Sequence, residues 1–364
     1  MSGRSGAGSG AGRRRTRRIA AARLSRRARW GVGASIAVLA LGVGGVAVGQ
    51  PVFGDSGTAA SDATFRVYQM NMCGWGSKYY SFDAHGDKVH SCFPNSEISK
   101  ADRNCTRPAC RTEERAEAGR KRQSMIAQVK RWKPAAVTVN EACRQDVLDV
   151  AKATGYVERS FGVGAGTRPS TQHRQCSEDR GPAVNAVLAK DFQGDKEAYG
   201  YFEAKPVPGN PYSHTRSYVC ALVKHEGTGT DGVTRVCTGH LALSSPANAG
   251  RLQKQQCGTV QRILRSPKGG YPSVFAGDTN MRHMRCGLND GFYGLQDFET
   301  KAGDQTPQSG LQHLYYEDAY TRGRSCGQMH KVEHTDHKGF LLDLHPTDKP
   351  SRGSACTWRD VEHS

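Results

Sequence analysis

The feature that most limits how this chain can fold is a series of short apolar runs, each of which ends in polar residues. The runs have the length and the alternation typical of β-strands, and Gly- and Pro-rich turns separate many of them. They lie at 65–72, 135–139, 182–190, 216–224, 233–243, 271–276 and 340–344. Because helical stretches are few, this layout predicts one mixed α/β domain with its sites where strands end and loops begin.

Three stretches predict helices. The first begins at Thr112 and stops before Pro134, and a short second helix closes at Gly155. A third begins at Ser245-Pro246, where the serine can cap the helix and the proline fits its first turn, and it ends near Ser266. Residues 227–232, between two of the predicted strands, indicate a hairpin connection.

The beginning of the chain predicts an export signal over residues 1–49. Residues 1–29 contain ten arginines and no acidic residue, so this lead should not fold by itself, and 30–49 form an uncharged apolar run with a small-residue exit. A retained membrane anchor at 30–49 is the alternative, because an apolar run of that length can also span a bilayer. Arg26-Arg27 hints at twin-arginine export, and the route stays open. Residues 50–63 predict a flexible linker and 347–364 a C-terminal tail.

The cysteines and the charge are consistent with an extracellular destination. All twelve cysteines lie from Cys73 to Cys356, as an oxidising compartment allows, and up to six disulfides with open connectivity are possible. The formal charge of +17 becomes +7 without the leader, because 41 basic and 34 acidic residues remain. A basic balance suits a polyanionic substrate or an anionic surface, and it also suits a merely soluble basic protein. We therefore predict a secreted protein that meets the membrane only transiently through its leader, with no protein partner implied.

Polar residues at the predicted strand ends supply the groups that phosphodiester hydrolysis needs. The reaction requires a hard cation, a group that orients or deprotonates water, and donors for developing charge. Each residue alone would be an ordinary solvated strand end, so their value lies in the set. The set consists of Asn71, Glu141, His240, Asp278, Asn280, Asp336 and His337.

Short motifs around these residues, taken in order, resemble the signature of the endonuclease/exonuclease/phosphatase superfamily. The resemblance covers most of the chain from about 65 to 345, and the cysteines in Asn71-Met72-Cys73 and Asn140-Glu141-Ala142-Cys143 are similar to secreted actinobacterial members. The motifs are Met70-Asn71-Met72, Val139-Asn140-Glu141, Gly181–Leu188, Thr238-Gly239-His240-Leu241, Gly277-Asp278-Thr279-Asn280 and Thr335-Asp336-His337.

The resemblance implies a fold and a metal site. The fold would be a DNase I-like two-sheet β-sandwich flanked by helices, an α/β (α+β) domain over residues 64–346 with the site at one edge. Glu141 would be the principal ligand of Mg²⁺, or of Mn²⁺ or Ca²⁺ in its place, and Asn71 and Asp336 would complete or support that site. Nothing in the sequence decides between one metal and two.

The resemblance also implies the catalytic roles. Asp278 would hold the attacking water and Asn280 would donate to the phosphate. His240 and His337 would be the imidazoles at the scissile phosphate, acting as acid and base or as stabilisers of charge. A satisfied core histidine is the alternative reading of His240, which has apolar neighbours, and Asn185 is interpreted as a structural hydrogen-bonder within its strand.

Two positions depart from the family pattern. Thr279 stands where an aromatic or aliphatic residue is usual. Gln312 stands near where the family's late strand has an aspartate that orients the last histidine, and a glutamine cannot offset an imidazolium charge. Either the orienting acid of His337 lies elsewhere, or the pKa of His337 differs from that of the family.

Basic residues near the proposed site point to nucleic acid as the first substrate among phosphodiesters. Arg282 and Arg285 follow Asn280, and Arg174 lies in a Gly-rich loop. On a nuclease these side chains would contact phosphates, and binding would weaken as salt rises. A solvated basic loop is the competing interpretation.

Two other functions stay open. The family also contains inositol-phosphate phosphatases and phospholipase C-like sphingomyelinases, and a lipid enzyme would show an exposed aromatic hairpin. Trp75, Tyr79, Tyr80 and Phe82 are candidates for such a hairpin. A catalytically silent binding module on the same scaffold would show no metal-dependent turnover.

Overall fold

The computed structural model covers most of the predicted domain. It describes residues 64–74, 80–82, 88–90, 108–164, 173–176, 180–202, 216–226, 232–243, 250–265, 270–282, 286, 288, 292–299, 308–317, 320–322, 328–330, 335, 337–346 and 359–361. The predicted leader at 1–49, the linker at 50–63 and most of the 227–232 connection lie outside the described residues. The predicted domain boundaries therefore stay predictions.

Strands outnumber helices in the described part of the chain. In chain order the elements are β1 (Phe65–Asn71), β2 (Tyr80–Phe82), β3 (Lys88–His90), α1 (Pro108–Trp132), β4 (Ala136–Cys143), α2 (Arg144–Thr154), β5 (Val157–Gly162), β6 (Ala183–Ala189), β7 (Phe192–Tyr201), β8 (Ser217–Lys224), β9 (Val233–Gly239), α3 (Arg251–Arg265), β10 (Ser273–Asp278), β11 (Phe292–Glu299), β12 (Gln308–Glu317), β13 (Tyr320–Arg322), β14 (Gln328–His330), β15 (Gly339–Pro346) and β16 (Arg359–Val361).

The described strands form two large mixed sheets. The first sheet has eight strands in the order β16-β14-β15-β1-β4-β6-β5, with β13 paired to β15. The second sheet has six in the order β11-β12-β10-β9-β8-β7, and β2 and β3 form a separate two-stranded sheet. Residues 359–361, within the predicted C-terminal tail, thus add the edge strand β16 to the first sheet.

Each large sheet contains a parallel pair whose connection includes a helix. β1 lies parallel to β4, with α1 in the connection, and β9 lies parallel to β10, with α3 in the connection. Parallel neighbours need such a crossover, and their carboxyl ends lie at the same edge of the sheet. The carboxyl ends of these four strands are the part of the fold that positions the site.

The two sheets face each other across an apolar layer. Along β1, Phe65 and Val67 contribute to this inner layer, whereas Tyr68 and Met70 pack on the opposite face of the sheet. This is the alternation expected of a strand buried on both faces. Each large apolar side chain buried in this way stabilises the fold by about 1.5–3 kcal/mol.

Helices cover the outer faces of both sheets. Met125 and Val129 of α1 and Val147 of α2 pack on the first sheet. Val260 and Leu264 of α3 pack on the second. The α2 helix ends at Gly155, whose left-handed backbone (φ 69°) caps the last turn, as predicted.

The predicted elements are largely confirmed within the described residues, with shifted boundaries, and the predicted helix start at Ser245-Pro246 lies outside them. The α1 helix begins at Pro108, four residues before the predicted Thr112, and β4 extends to Cys143 beyond the predicted end of its apolar run. Strands β5 and β7 were not predicted, because their side chains are mostly half-buried or exposed and lack a clear apolar alternation. Both strands lie at sheet edges, where solvent replaces one neighbour.

Three disulfides lie within the described residues. They join Cys143 to Cys176, Cys220 to Cys237 and Cys257 to Cys286. Covalent links of this kind are stable in an oxidising compartment. No helix in the described ranges is both long and apolar enough to cross a bilayer.

Candidate active site

Four strand ends bring the predicted site residues together at one edge of the sandwich. Asn71 ends β1 and stands in register with Asn140 on β4. His240 directly follows β9 and forms a parallel bridge with Asp278, the last residue of β10. The side chain of Asn71 then crosses between the sheets, because its Nδ2 donates to Asp278 Oδ2 at 2.8 Å.

A bulge in β4 aims Glu141 at this edge. The pairing of β4 with β6 shifts register between Val139 and Ala142, and Glu141 has a positive φ of 50° that is uncommon for a side chain with a Cβ. Its Oε1 lies 3.4 Å from His240 Nδ1. Cys73 and Asn280 also have positive φ, of 47° and 52°. Unusual backbone geometry therefore concentrates around the site, as is common where function constrains the chain.

Burial and neighbouring cations keep His240 neutral. The ring is buried, and Arg216 Nη1 lies 2.7 Å from Nδ1. The Arg216 guanidinium and the Asn280 amide nitrogen, which faces Nε2, both only donate, so together they disfavour a ring that is protonated on both nitrogens. Desolvation, together with the positive charges of Arg216, His337 and Arg174, holds the pKa of His240 well below its ordinary value. The Nε2 atom faces Asn280 Nδ2 at 2.8 Å and Asp278 Oδ2 at 3.8 Å.

Asp278 is a buried carboxylate of increased basicity. Desolvation raises its pKa above the ordinary aspartate value, while the nearby His337, the Asn280 N–H and the Asn71 amide partly oppose that rise. Asn280 N donates to Oδ1 at 2.8 Å. The side chain is thus oriented through both oxygens and is a better proton acceptor than an exposed aspartate.

The loop before β15 delivers His337. Thr335 Oγ1 donates to the carbonyl oxygen of Asn71 at 3.2 Å and accepts from His337 N at 3.1 Å. His337 Nε2 then lies 3.8 Å from Asp278 Oδ2. Thr335 therefore ties the last histidine to the end of β1.

A layer of buried amides and hydroxyls supports the site between the sheets. Asn140 Oδ1 accepts from Gln69 Nε2 at 2.8 Å and from Asp278 N at 2.9 Å. Its Nδ2 donates to Asn185 Oδ1 at 3.0 Å and to Thr238 Oγ1 at 3.1 Å. Asn140 of the first sheet is thereby bonded to both strands of the parallel pair in the second.

Two polar residues have structural roles that join different strands. Asn185 is a structural hydrogen-bonder, as interpreted. Its partners, Asn140 and Ser217, lie on other strands and not on the strand of Asn185. Gln312 bonds to Asn71 N at 3.2 Å and to Lys338 O at 2.8 Å, so it joins β12 to β1 and to the start of β15. Among the described residues, Asp278 is an acid that lies beside His337.

The remaining predicted residues divide into three groups. The positive charge of Arg174 acts on His240, which places it near the site. Arg282 is half-buried two residues after Asn280, and its substrate contact stays a prediction. Asp336 and Arg285 lie outside the described residues.

Asn280 is more enclosed than its predicted role as a phosphate donor implies. Its Nδ2 lies 2.8 Å from His240 Nε2 and donates to the carbonyl oxygen of Leu241 at 2.7 Å. In this arrangement Asn280 orients His240. Direct donation to a phosphate stays a prediction, because it requires one of these contacts to be exchanged.

Arg216 and Asn140 are site residues that sequence reasoning missed. Arg216 precedes β8 and is fully buried, although arginine is rarely buried without a specific partner. A signal was available for Asn140, because a second polar residue directly before Glu141 interrupts an apolar run. The residues around Arg216 gave no indication of its role, since its partner His240 lies in another motif.

The residues at the edge fit a hard divalent cation. The Glu141 side chain is 12% exposed, so its carboxylate is accessible, and Asn71 Oδ1 accepts from Cys73 N at 2.9 Å with one lone pair remaining. Within the described ranges no three His, Cys, Asp or Glu side chains form a metal-binding group. Mg²⁺ is commonly held by one or two carboxylates with several waters, so Glu141 with supporting oxygen donors suits it.

No protein-family model and no curated protein matches this sequence. Solved structures match its fold. An endonuclease/exonuclease/phosphatase family protein from Bacteroides thetaiotaomicron is 12% identical with a TM-score of 0.50, covering 77% of this chain and 97% of that chain. A mannosyl-6-phosphatase from Bacteroides thetaiotaomicron VPI-5482 has the same identity and TM-score, covering 77% of this chain and 99% of that chain.

A third structure, the endonuclease/exonuclease/phosphatase from Beutenbergia cavernae, is 17% identical with a TM-score of 0.49, covering 78% of this chain and 72% of that chain. The predicted likeness to secreted actinobacterial members stays a prediction. The two facing sheets with helices on their outer faces confirm the predicted sandwich. The chain therefore has the endonuclease/exonuclease/phosphatase (DNase I-like) fold.

Proposed function

We propose that this chain is an exported, metal-dependent phosphodiesterase that hydrolyses nucleic acid. One observation carries the proposal: side chains from distant parts of the sequence meet around Asp278. Asn71 bonds to it, and His240 and His337 each place a ring nitrogen 3.8 Å from its Oδ2. A base, two imidazoles and an adjacent carboxylate at Glu141 are the groups that hydrolysis of a phosphate ester requires.

In the proposed reaction Asp278 takes a proton from water. The water oxygen forms a bond to phosphorus, the bond from phosphorus to the leaving oxygen breaks, and that oxygen takes a proton from His337 or from solvent. The raised pKa of Asp278 favours the first proton transfer. Asn71 and Asn280 keep the carboxylate in one orientation through the bonds described above.

His240 acts as a neutral hydrogen-bond donor in this proposal. Arg216 lies at Nδ1 and Asn280 at Nε2, so donation from the ring to a phosphoryl oxygen would require the contact between Nε2 and Asn280 to be exchanged. Its lowered pKa argues against an imidazolium acid at this position. The buried positive charge of Arg216 also favours a substrate that carries negative charge.

Mg²⁺ would be held by Glu141 and Asn71, and when bound it would polarise the phosphoryl oxygens. Asp336 belongs to the proposed set through the sequence motif alone. The expected ligands are hard oxygen donors, consistent with Mg²⁺, Mn²⁺ or Ca²⁺.

Binding of the cation can be tested apart from turnover. Glu141→Gln should abolish the rise in melting temperature that Mg²⁺ produces in the wild type, because a neutral amide binds a divalent ion far more weakly than a carboxylate. Asp191→Asn is the matched control, since this exposed carboxylate pairs with Lys224 beyond β6. An unchanged Mg²⁺ response in Glu141→Gln would refute the assignment of this ligand.

The substrate class is decided by assaying the full chain on plasmid DNA, RNA, sphingomyelin vesicles, phosphoinositides and a sugar phosphate, with Mg²⁺ and with chelator. Metal-dependent cleavage of nucleic acid, lost in Asp278→Asn, supports the proposal. Cleavage of lipid or of a phosphomonoester without nucleic acid would overturn the substrate. Equal activity in chelator would overturn the metal mechanism, and no turnover on any substrate would favour a silent binding module.

Export is supported by the three disulfides together with the predicted leader. Non-reducing and reducing mass analysis of protein collected outside the producing cell tests it. Recovery of the oxidised protein without residues 1–49 is expected. Protein found only inside the cell with free thiols would contradict export.

A further inference from the structure

A cleft outside the proposed active site lies where the edge strands of the two sheets meet. β5 ends the first sheet and β7 ends the second, and the cleft beside them has a volume of about 510 Å³. This is within the range of about 300–1,000 Å³ that is common for ligand sites. Phe161, His173 and Tyr199 line it with Arg144, Arg159 and Lys196.

Aromatic rings form one side of this edge cleft. The Phe161 ring centroid lies 5.0 Å from that of Tyr199, 5.3 Å from that of Tyr201 and 5.8 Å from that of His173. Tyr199 is 53% exposed, and among the described residues Val157 is the other large apolar side chain that is exposed. A cluster that served only to seal the sandwich would hide its outer ring, whereas this one presents a flat aromatic surface to solvent.

Three cations line the cleft together with the two carboxylates, Glu158 and Asp195, that pair with the arginines. Arg144 lies 3.4 Å from Glu158 and Arg159 lies 3.2 Å from Asp195, and both pairs are at least partly exposed. Exposed pairs of this kind are weak, so each guanidinium can exchange its carboxylate for a phosphate. Lys196 Nζ lies 5.1 Å from the Tyr199 ring centroid. The cleft therefore places positive charges directly beside an exposed ring.

The edge cleft lies toward the same edge of the first sheet as the proposed active site, because Val184, which lines the cleft, pairs with Ala142 directly after Glu141. Arg144 follows Glu141 by three residues, and the Cys143–Cys176 disulfide anchors the segment that carries His173. Arg174, next to His173, is near enough to act electrostatically on His240. One extended ligand can therefore contact the edge cleft and the site together.

We propose that the edge cleft binds an unpaired nucleotide of single-stranded nucleic acid beside the bond that is cleaved. The base would stack on Tyr199 and Phe161, and the adjoining phosphates would contact Arg144, Arg159 and Lys196. Aromatic rings flanked by cations are the usual platform for single strands, since every base offers a flat face and every linkage a negative charge. A base within a duplex is already stacked and paired, so this cleft selects single strands. The inference rests on the proposed nuclease function and names its substrate class.

The test measures binding of the full chain to a labelled oligo(dT) of twelve nucleotides by fluorescence anisotropy, in chelator to prevent cleavage. Tyr199→Leu should raise Kd about 5- to 150-fold, the range expected for loss of one base–aromatic stack. Tyr199→Phe should bind within about twofold of the wild type, because it keeps the ring. Lys196→Gln should reduce the slope of log Kd against log salt by about 0.7, as for one lost phosphate contact on a single strand.

The control variant is Val157→Ala, because Val157 is also exposed on β5 but does not line the cleft. It should bind as the wild type does. Equal affinity of Tyr199→Leu and wild type would overturn the inference, as would equal binding of a duplex of the same length. Loss of dextran binding in Tyr199→Leu without loss of oligo(dT) binding would assign the cleft to a polysaccharide instead.

Failure of this inference and failure of the proposed function give different results. If the wild type cleaves nucleic acid and Tyr199→Leu binds oligo(dT) as tightly as the wild type, only the proposal for the edge cleft is refuted. If oligo(dT) binding depends on Tyr199 but no nucleic acid is cleaved, only the proposed nuclease activity is refuted. Neither binding nor cleavage overturns both.

Discussion

Replacing Asn140 with alanine is expected to destabilise the protein and to lower its activity together. The side chain is fully buried and connects Gln69, Asp278, Asn185 and Thr238 across the two sheets. Alanine would leave the Asp278 N–H without this acceptor, and Gln69 Nε2 would keep its longer bond to Gln312 Oε1 at 3.3 Å. Because Asp278 is the proposed base, its backbone would also lose a bond that holds it in place.

The size of the effect follows from these bonds. A buried polar group left unsatisfied costs about 1–3 kcal/mol, and two donors lose an acceptor while two acceptors lose a donor. Since solvent entry and local relaxation recover part of that cost, we expect a loss of roughly 3–5 kcal/mol in the free energy of unfolding. A loss of this size is a large fraction of the stability of an ordinary domain.

Urea unfolding measures the stability, and turnover of a phosphodiester at saturating Mg²⁺ measures the activity. Asn185→Ala is the matched variant, because within the described part of the chain the Asn185 side chain bonds to Asn140 and Ser217 and not to Asp278. It should lower stability while keeping more of the turnover than Asn140→Ala. A loss below about 1 kcal/mol in Asn140→Ala would show that the amide layer does not hold the sheets together.

Two further predictions concern buried residues near the site. Burial lowers the pKa of His313 from 6.5 to about 4, so the unfolded chain takes up this proton first as pH falls. The stability contributed by the neutral ring is complete above pH 6.5 and is lost toward pH 4. About 2 kcal/mol should disappear by pH 5, and urea unfolding of His313→Gln should show a smaller loss over the same interval. Gly277→Ala should lower the urea midpoint, because the new Cβ would clash with the backbone oxygen of Gly239. Gly258→Ala, on α3 with open space at its Cβ, should leave the midpoint unchanged or raise it.

Much of the sandwich could be predicted because its signals are local. The alternation along β1, the proline after α1 and the glycine after α2 each lie within a few residues of the feature that they predict. The convergence of Asn71, His240 and Asp278 also followed from the chain, since each ends or directly follows a strand. Parallel strands joined by crossovers bring such ends to one edge.

The edge strands were harder to predict. β5 and β7 have exposed and half-buried positions that weaken the apolar alternation, so neither was recognised. The aromatic cleft beside them joins residues from two sheets and one loop. Such a surface exists only after both sheets have formed and their edges have met.

Sequence alone was sufficient for the residue types at the strand ends and for the order of the strands that carry them, because hydrophobic periodicity and turn residues act over short distances. The hydrogen-bond partners of the site residues were decided by the tertiary structure. Arg216 lies against His240, Gln312 bonds to Asn71 N, and Asn140 reaches across to Asp278. Each of these contacts joins residues far apart in the chain, and the physical requirement that buried polar groups be hydrogen-bonded settles which side chains meet only when the sheets pack.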